Sequence, residues 1–161
     1  MDTYTVSRSA AIAATPDRIY DQLIDFRRWP AWSPWEELDP GMERHHEGPE
    51  SGVGAVYRWS GNRKAGQGRM EILEATAPRE IRIKLDFDKP FKSSNTTTFT
   101  LRPQGPGTDV TWTMVGPRTL MLKVMGIFMS MDKMVGRDFE KGLARLADVV
   151  EREPNSFPDN A

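Results

Sequence analysis

His45 and His46 are the only histidines in the chain, and they are neighbours. On an extended strand, adjacent side chains point to opposite faces, so the pair cannot close on one metal ion. With no cysteine in the 161 residues, nothing completes a metal site of imidazole and thiolate. No metal and no cofactor is therefore expected. His46 has two readings, an inward acid or base and a surface histidine beside a loop. General acid–base chemistry needs a titratable group positioned against a substrate, and the residue types that qualify are His46, Tyr57 and Glu71. Their spacing alone does not assemble them. No serine sits in a G-x-S-x-G elbow. Gly66-Gln67-Gly68 opens a strand with no helix after it, so it is not a phosphate loop. No catalytic residue is assigned from the sequence.

The remaining chemistry is apolar. Trp29, Trp32 and Trp35 put three of the five tryptophans within seven residues. They read either as an aromatic rim with N–H groups free to orient a ligand, or as a plug where short helices meet a sheet. Met114, Met121, Met125, Met129, Met131 and Met134 are six of nine methionines. Such flexible, polarisable side chains suit either a surface that fits several apolar ligands or irregular core filling. Met121, Leu122, Met125 and Phe128 lie on a predicted short helix, Leu120 to Met129, that is apolar on most sides. A helix of that kind is buried all round or acts as a lid.

These residues need elements to hold them. Tyr4 to Ala13 predicts a first strand, and Thr15-Pro16-Asp17 a helix start with Thr15 as cap. Asp25 caps a further turn through Trp29, and Pro30 and Pro34 break the chain. Strands are predicted over Met42 to Glu47, Val56 to Ser60, Gln67 to Glu74, Glu80 to Phe87, Ser94 to Leu101 and Thr108 to Val115. In the fourth of these, Ile81, Ile83, Leu85 and Phe87 alternate with Arg82, Lys84 and Asp86, the pattern of one dry and one wet face. From Met131 to Arg152, Met131, Val135, Phe139, Leu143, Leu146 and Val150 recur at steps of three and four. They predict a helix roughly 33 Å long with one apolar stripe, capped by Ser130 and ended by Pro154. Lys133, Arg137, Lys141 and Arg145 form a basic ridge on it, read as a solvated face or as a docking surface for an acidic partner or anionic lipid. A run of strands followed by helices implies an α+β fold, a curved antiparallel sheet of about seven strands wrapped on the long C-terminal helix.

A net charge of −1 gives no case for nucleic acid as a partner. The start, Met1 to Thr15, lacks a signal-peptide pattern. No stretch approaches the roughly 20 apolar residues of a transmembrane segment. The expectation is a soluble, cytoplasmic protein of one domain over residues 1–153, with a mobile tail over 154–161. The sequence carries no reading of oligomeric state.

Local motifs add a resemblance. Thr15-Pro16-Asp17-Arg18-Ile19-Tyr20 with Asp25-Phe26 and Trp29-Pro30-Ala31-Trp32, then Gly52-Val53-Gly54-Ala55 before Trp59, resemble the START/Bet v 1-like (SRPBCC) superfamily. So do Gly66-Gln67-Gly68-Arg69-Met70, Gly107-Thr108-Asp109-Val110-Thr111-Trp112 and Phe139-Glu140-Lys141-Gly142-Leu143. The branch is polyketide cyclase/dehydrase-like, and the resemblance spans about Thr3 to Glu151. It implies a helix-grip fold with an elongated apolar cavity between sheet and helix. A small hydrophobic ligand (lipid, polyketide or isoprenoid-like) would meet Tyr57, Trp59, Met70, Ile72, Ile83, Leu85, Phe99, Trp112 and Met114 from the strands. Phe139 would meet it from the long helix. Trp32 and Trp35, with Met121, Met125 and Phe128, would stand at the mouth. The alternatives are a cyclase or dehydratase, and a co-chaperone-like interaction module resting on the basic ridge.

Overall fold

The computed structural model describes residues 3–63, 65–89, 92–117 and 127–152, with side chains in the last helix for 133 and 135–152. Seven strands form one antiparallel sheet: β1 Thr3–Ile12, β2 Glu43–Glu47, β3 Val56–Ser60, β4 Gln67–Thr76, β5 Glu80–Lys89, β6 Ser93–Gln104 and β7 Gly107–Pro117. Their spatial order is β1-β7-β6-β5-β4-β3-β2. The meander from β2 to β7 follows the tight turns, and β1 closes against β7 with Val6 opposite Met114. Helix α1 (Pro16–Leu23) and 3₁₀ turns at Phe26–Ala31 and Pro34–Glu37 follow β1, and helix α2 (Ile127–Arg152) ends the described chain.

Alternation along each strand gives the sheet an inner face turned to α2 and an outer face. Ile72, Ile81, Ile83, Phe99, Val110 and Trp112 are inward and buried. Outward residues pair with one another: Ser7 with Thr113 at 3.0 Å, Ser9 with Thr111 at 2.8 Å and Arg82 with Glu74 at 3.1 Å. On α2, Phe139, Leu143, Leu146 and Val150 are buried, which is the stripe that the helical period predicts. At Gly142 a Cβ would lie 2.8 Å from the Trp112 ring and 3.2 Å from Pro34 Cδ. Glycine there lets α2 settle onto β7. The last turn is tied down from the other side. The Glu151 carboxylate accepts from the Ala13 amide at 2.9 Å, and the Arg18 guanidinium donates to the Val150 carbonyl.

Three local expectations are corrected. The long helix starts at Ile127 rather than after Ser130. No glycine or proline separates 127 from 131, so nothing stops the helix from extending, and Ser130 lies inside it rather than capping it. Thr15 takes the cap position with extended backbone, but its hydroxyl makes no capping bond. Pro34 does not simply break the chain. It opens a 3₁₀ turn, because proline fits the first position of a helical turn. The predicted helix Leu120 to Met129 lies largely outside the described residues, and its last three residues belong to α2. Met121 and Met125 lie outside the description, as does the Phe128 side chain.

Candidate functional site

The inner face has two regions. Under the middle of α2 it is filled by rings. Trp112 stacks on Phe139 at 4.1 Å and 9°. Trp32 stands edge-on to Phe99 at 6.0 Å and to Trp112 at 5.5 Å. Trp29 lies 4.8 Å from Trp32. Trp32 is fully buried, so it packs as a plug here and does not stand at a rim. Trp35 is half-buried, set edge-on to Phe139 and Trp112, and its indole hydrogen-bonds the Asp138 carboxyl of α2. Burial raises that carboxyl above its ordinary value, and the indole and Lys141 partly offset the rise.

Towards β3 the face opens. One row crosses the sheet through Asn95, Leu85, Met70, Tyr57 and His46 on successive strands from β6 to β2. Trp59 and Phe87 stand just beyond it, edge-on at 5.6 Å. Trp59, Leu85 and Phe87 are only half-buried although they point to the core side. Met70, Ile72, Ile83 and Met114 complete the apolar lining and are buried.

Polar groups bound this strip at both ends. At the β3 end the Tyr57 hydroxyl donates to Glu36 Oε2 at 2.8 Å, and Arg44 Nε holds Glu36 Oε1 at 2.7 Å. The Glu36 side chain is only 10% exposed. Burial, then the bond to Glu36, pushes the Tyr57 hydroxyl well above the usual phenol value. The exposed His46 ring lies 5.2 Å from Tyr57, and burial and Arg27 lower its pKa. Glu71 is on the outer face, paired with Arg69 at 3.0 Å. Of the three acid–base candidates, the structure therefore brings His46 and Tyr57 together and leaves Glu71 apart. Glu36 and Arg44 were not singled out from sequence. The signal that marks Glu36 is Pro34 with two acids, Glu36 and Glu37, in the same turn, a helical-turn start.

At the opposite end, the Tyr4 hydroxyl donates to Asn95 Oδ1, and Asn95 Nδ2 donates to the Leu85 carbonyl at 3.3 Å and Ser93 Oγ at 3.2 Å. Burial raises the Tyr4 hydroxyl to about 12. Gly116 leaves room for this pair, since a Cβ there would overlap both side chains. On the basic ridge Lys133, Arg137 and Lys141 are exposed, and Arg145 pairs with Glu37 of the 3₁₀ turn.

A seven-stranded antiparallel sheet curved around a C-terminal helix, with this inner face, is the helix-grip, Bet v 1-like fold. The chain belongs to the family described as polyketide cyclase/dehydrase and lipid transport, whose profile matches residues 3–151. Among solved structures it is similar to protein CV1439 from Chromobacterium violaceum, with 20% identity, TM-score 0.66, and 91% of this chain and 96% of that one covered. It is also similar to protein MLL2253 from Mesorhizobium loti, with 17% identity, TM-score 0.67, and 92% and 98% covered. The Aha1 dimer from Colwellia psychrerythraea matches at 16% identity and TM-score 0.65, with 92% and 96% covered. Comparison with curated proteins gives no match. Among the described residues, no helix is long and apolar enough to cross a membrane.

Proposed function

We propose that this protein binds a small apolar molecule, lipid, polyketide or isoprenoid-like, between α2 and the inner sheet face. The observation that carries the reading is the partial exposure of Trp59, Leu85 and Phe87 on a face that is otherwise sealed by rings. Apolar groups left partly wet beside a closed core gain free energy when a ligand covers them, about 25 cal/mol per Å². The test is native mass spectrometry and solvent extraction of the purified protein, followed by titration with fatty acids, flavonoids and quinones. A co-purified or added apolar ligand that protects Trp59 from quenching supports the reading. A protein that takes up none of them removes it.

A second reading has its own observation. Tyr57 is buried, holds its proton, and is backed by Glu36 and Arg44. With its hydrogen bond given to Glu36, the phenol oxygen is left to accept a substrate proton while Glu36 takes the phenol's own, a general-base relay of the kind that cyclase or dehydratase chemistry needs. Under it, Tyr57→Phe abolishes turnover of a polyketide-type substrate while leaving binding within a few-fold.

A further inference from the structure

Thr97 lies on the inner face of β6, flanked by Met114 of β7 and Ile83 of β5. It is 4% exposed, and its hydroxyl has no hydrogen-bond partner. The Trp32 and Trp112 indole nitrogens share that condition, but they stand near edge-on to neighbouring rings, where an N–H can meet a π face. The side chains directly opposite Thr97 are a thioether and an aliphatic group, neither of them a strong hydrogen-bond acceptor. Burying a hydroxyl without a partner is unfavourable, and valine would fill the same volume without that cost.

The surroundings define what would complete it. Asn95, two residues along the same face, is fully engaged with Tyr4, Leu85 and Ser93. The half-buried Leu85 and the buried Met70 continue the row away from it. Among the described inward residues of β5, β6 and β7 around Thr97 none is charged; the inward charge on β1, Arg8, pairs with Glu140 of α2 at 2.9 Å. A carboxylate brought here would be buried without a counter-charge, which is strongly unfavourable.

We propose that the Thr97 hydroxyl is the polar anchor of the ligand site. It donates to a neutral acceptor oxygen, a ketone, ester or quinone carbonyl, on a molecule whose apolar body lies over Leu85 and Met70. This rests on the small-molecule reading above and adds to it a preference for carbonyl compounds over hydrocarbons and over anions.

The experiment displaces Nile red from the full chain with three probes of matched shape, 2-acetylnaphthalene, 2-ethylnaphthalene and 2-naphthoate. On the wild type the ketone displaces at about 5- to 10-fold lower concentration than the hydrocarbon, the discrimination of one net hydrogen bond, and the carboxylate is weakest. Thr97→Val brings ketone and hydrocarbon to near parity, with a melting temperature unchanged or raised. Thr97→Ser keeps the ketone preference. If Thr97→Val leaves the ratio unchanged, or lowers the melting temperature by several degrees, the anchor is refuted while small-molecule binding stands. If Nile red does not bind the wild type at all, the small-molecule reading falls and the anchor with it.

Discussion

Tyr57 keeps its proton because its ring is buried and its hydroxyl already faces a carboxylate. Losing that hydroxyl leaves Glu36 with Arg44 as its remaining partner, so Tyr57→Phe should cost about 1–2 kcal/mol, read as a lower urea midpoint. Tyr4 behaves alike, raised from 10.0 to about 12. A phenol whose folded pKa lies above its unfolded one contributes stability in full below pH 10. That contribution is lost as pH climbs towards 12, because the unfolded chain releases the proton first. Tyrosinate absorbance should therefore appear together with unfolding above pH 10, and a tyrosine titrating freely in the folded state at pH 10 would contradict it. Tyr57 and its inward face were legible from strand alternation. Its partners were not, because Glu36 and Arg44 reach it only through the path of a 3₁₀ turn and an edge strand, and no residue spacing encodes that path.

Helix α2 meets the sheet through two glycines of different character. A Cβ at Gly142 would press on the Trp112 ring and Pro34, both rigid, whereas the atoms nearest to one at Gly136 are the guanidinium end of the flexible Arg8 side chain. Alanine favours a helix by about 1 kcal/mol over glycine at either site. Gly142→Ala should nevertheless destabilise by about 1–3 kcal/mol through overpacking, while Gly136→Ala should stay within about 1 kcal/mol of wild type as Arg8 swings aside. Phe139→Ala removes the ring stacked on Trp112 and should cost about 3–5 kcal/mol. Denaturant titration of the three variants checks the order. The helix itself was legible, since its stripe from Val135 to Val150 repeats without interruption. Its start was not: Ser130 has the residue type of a cap, yet the helical backbone already runs from Ile127. Trp32 illustrates the same limit, because composition places tryptophans near one another without saying which ring ends up innermost.

The molecule as a whole is held unevenly. β6 and β7 are long inner strands, each paired on both sides. β2 is five residues at an edge, four of them exposed. Hydrogen exchange should be fastest in Glu43–Glu47 and slowest in the centres of β6 and β7, since local opening costs least where least is buried. A β2 protected as well as β7 would indicate that another chain covers that edge. This distribution puts the Arg44–Glu36 contact on the least anchored strand and the Thr97 hydroxyl on one of the most anchored, so the two ends of the apolar strip differ in compliance.

The chain of rings has an optical consequence. Trp29, Trp32, Trp112 and Trp35 follow one another at 4.8, 5.5 and 5.6 Å, close enough for excitation absorbed by one indole to pass to the next. Of the four, only Trp35 is more than marginally exposed. Its contacts are the two rings and the Asp138 carboxyl. The emission of the group is therefore expected largely from the seam between Pro34–Glu37 and α2, and replacing Trp112 with phenylalanine removes the one indole set against both Trp32 and Trp35. Trp59, set against Tyr57 and Phe87 rather than against another indole, reports instead on the open end of the sheet.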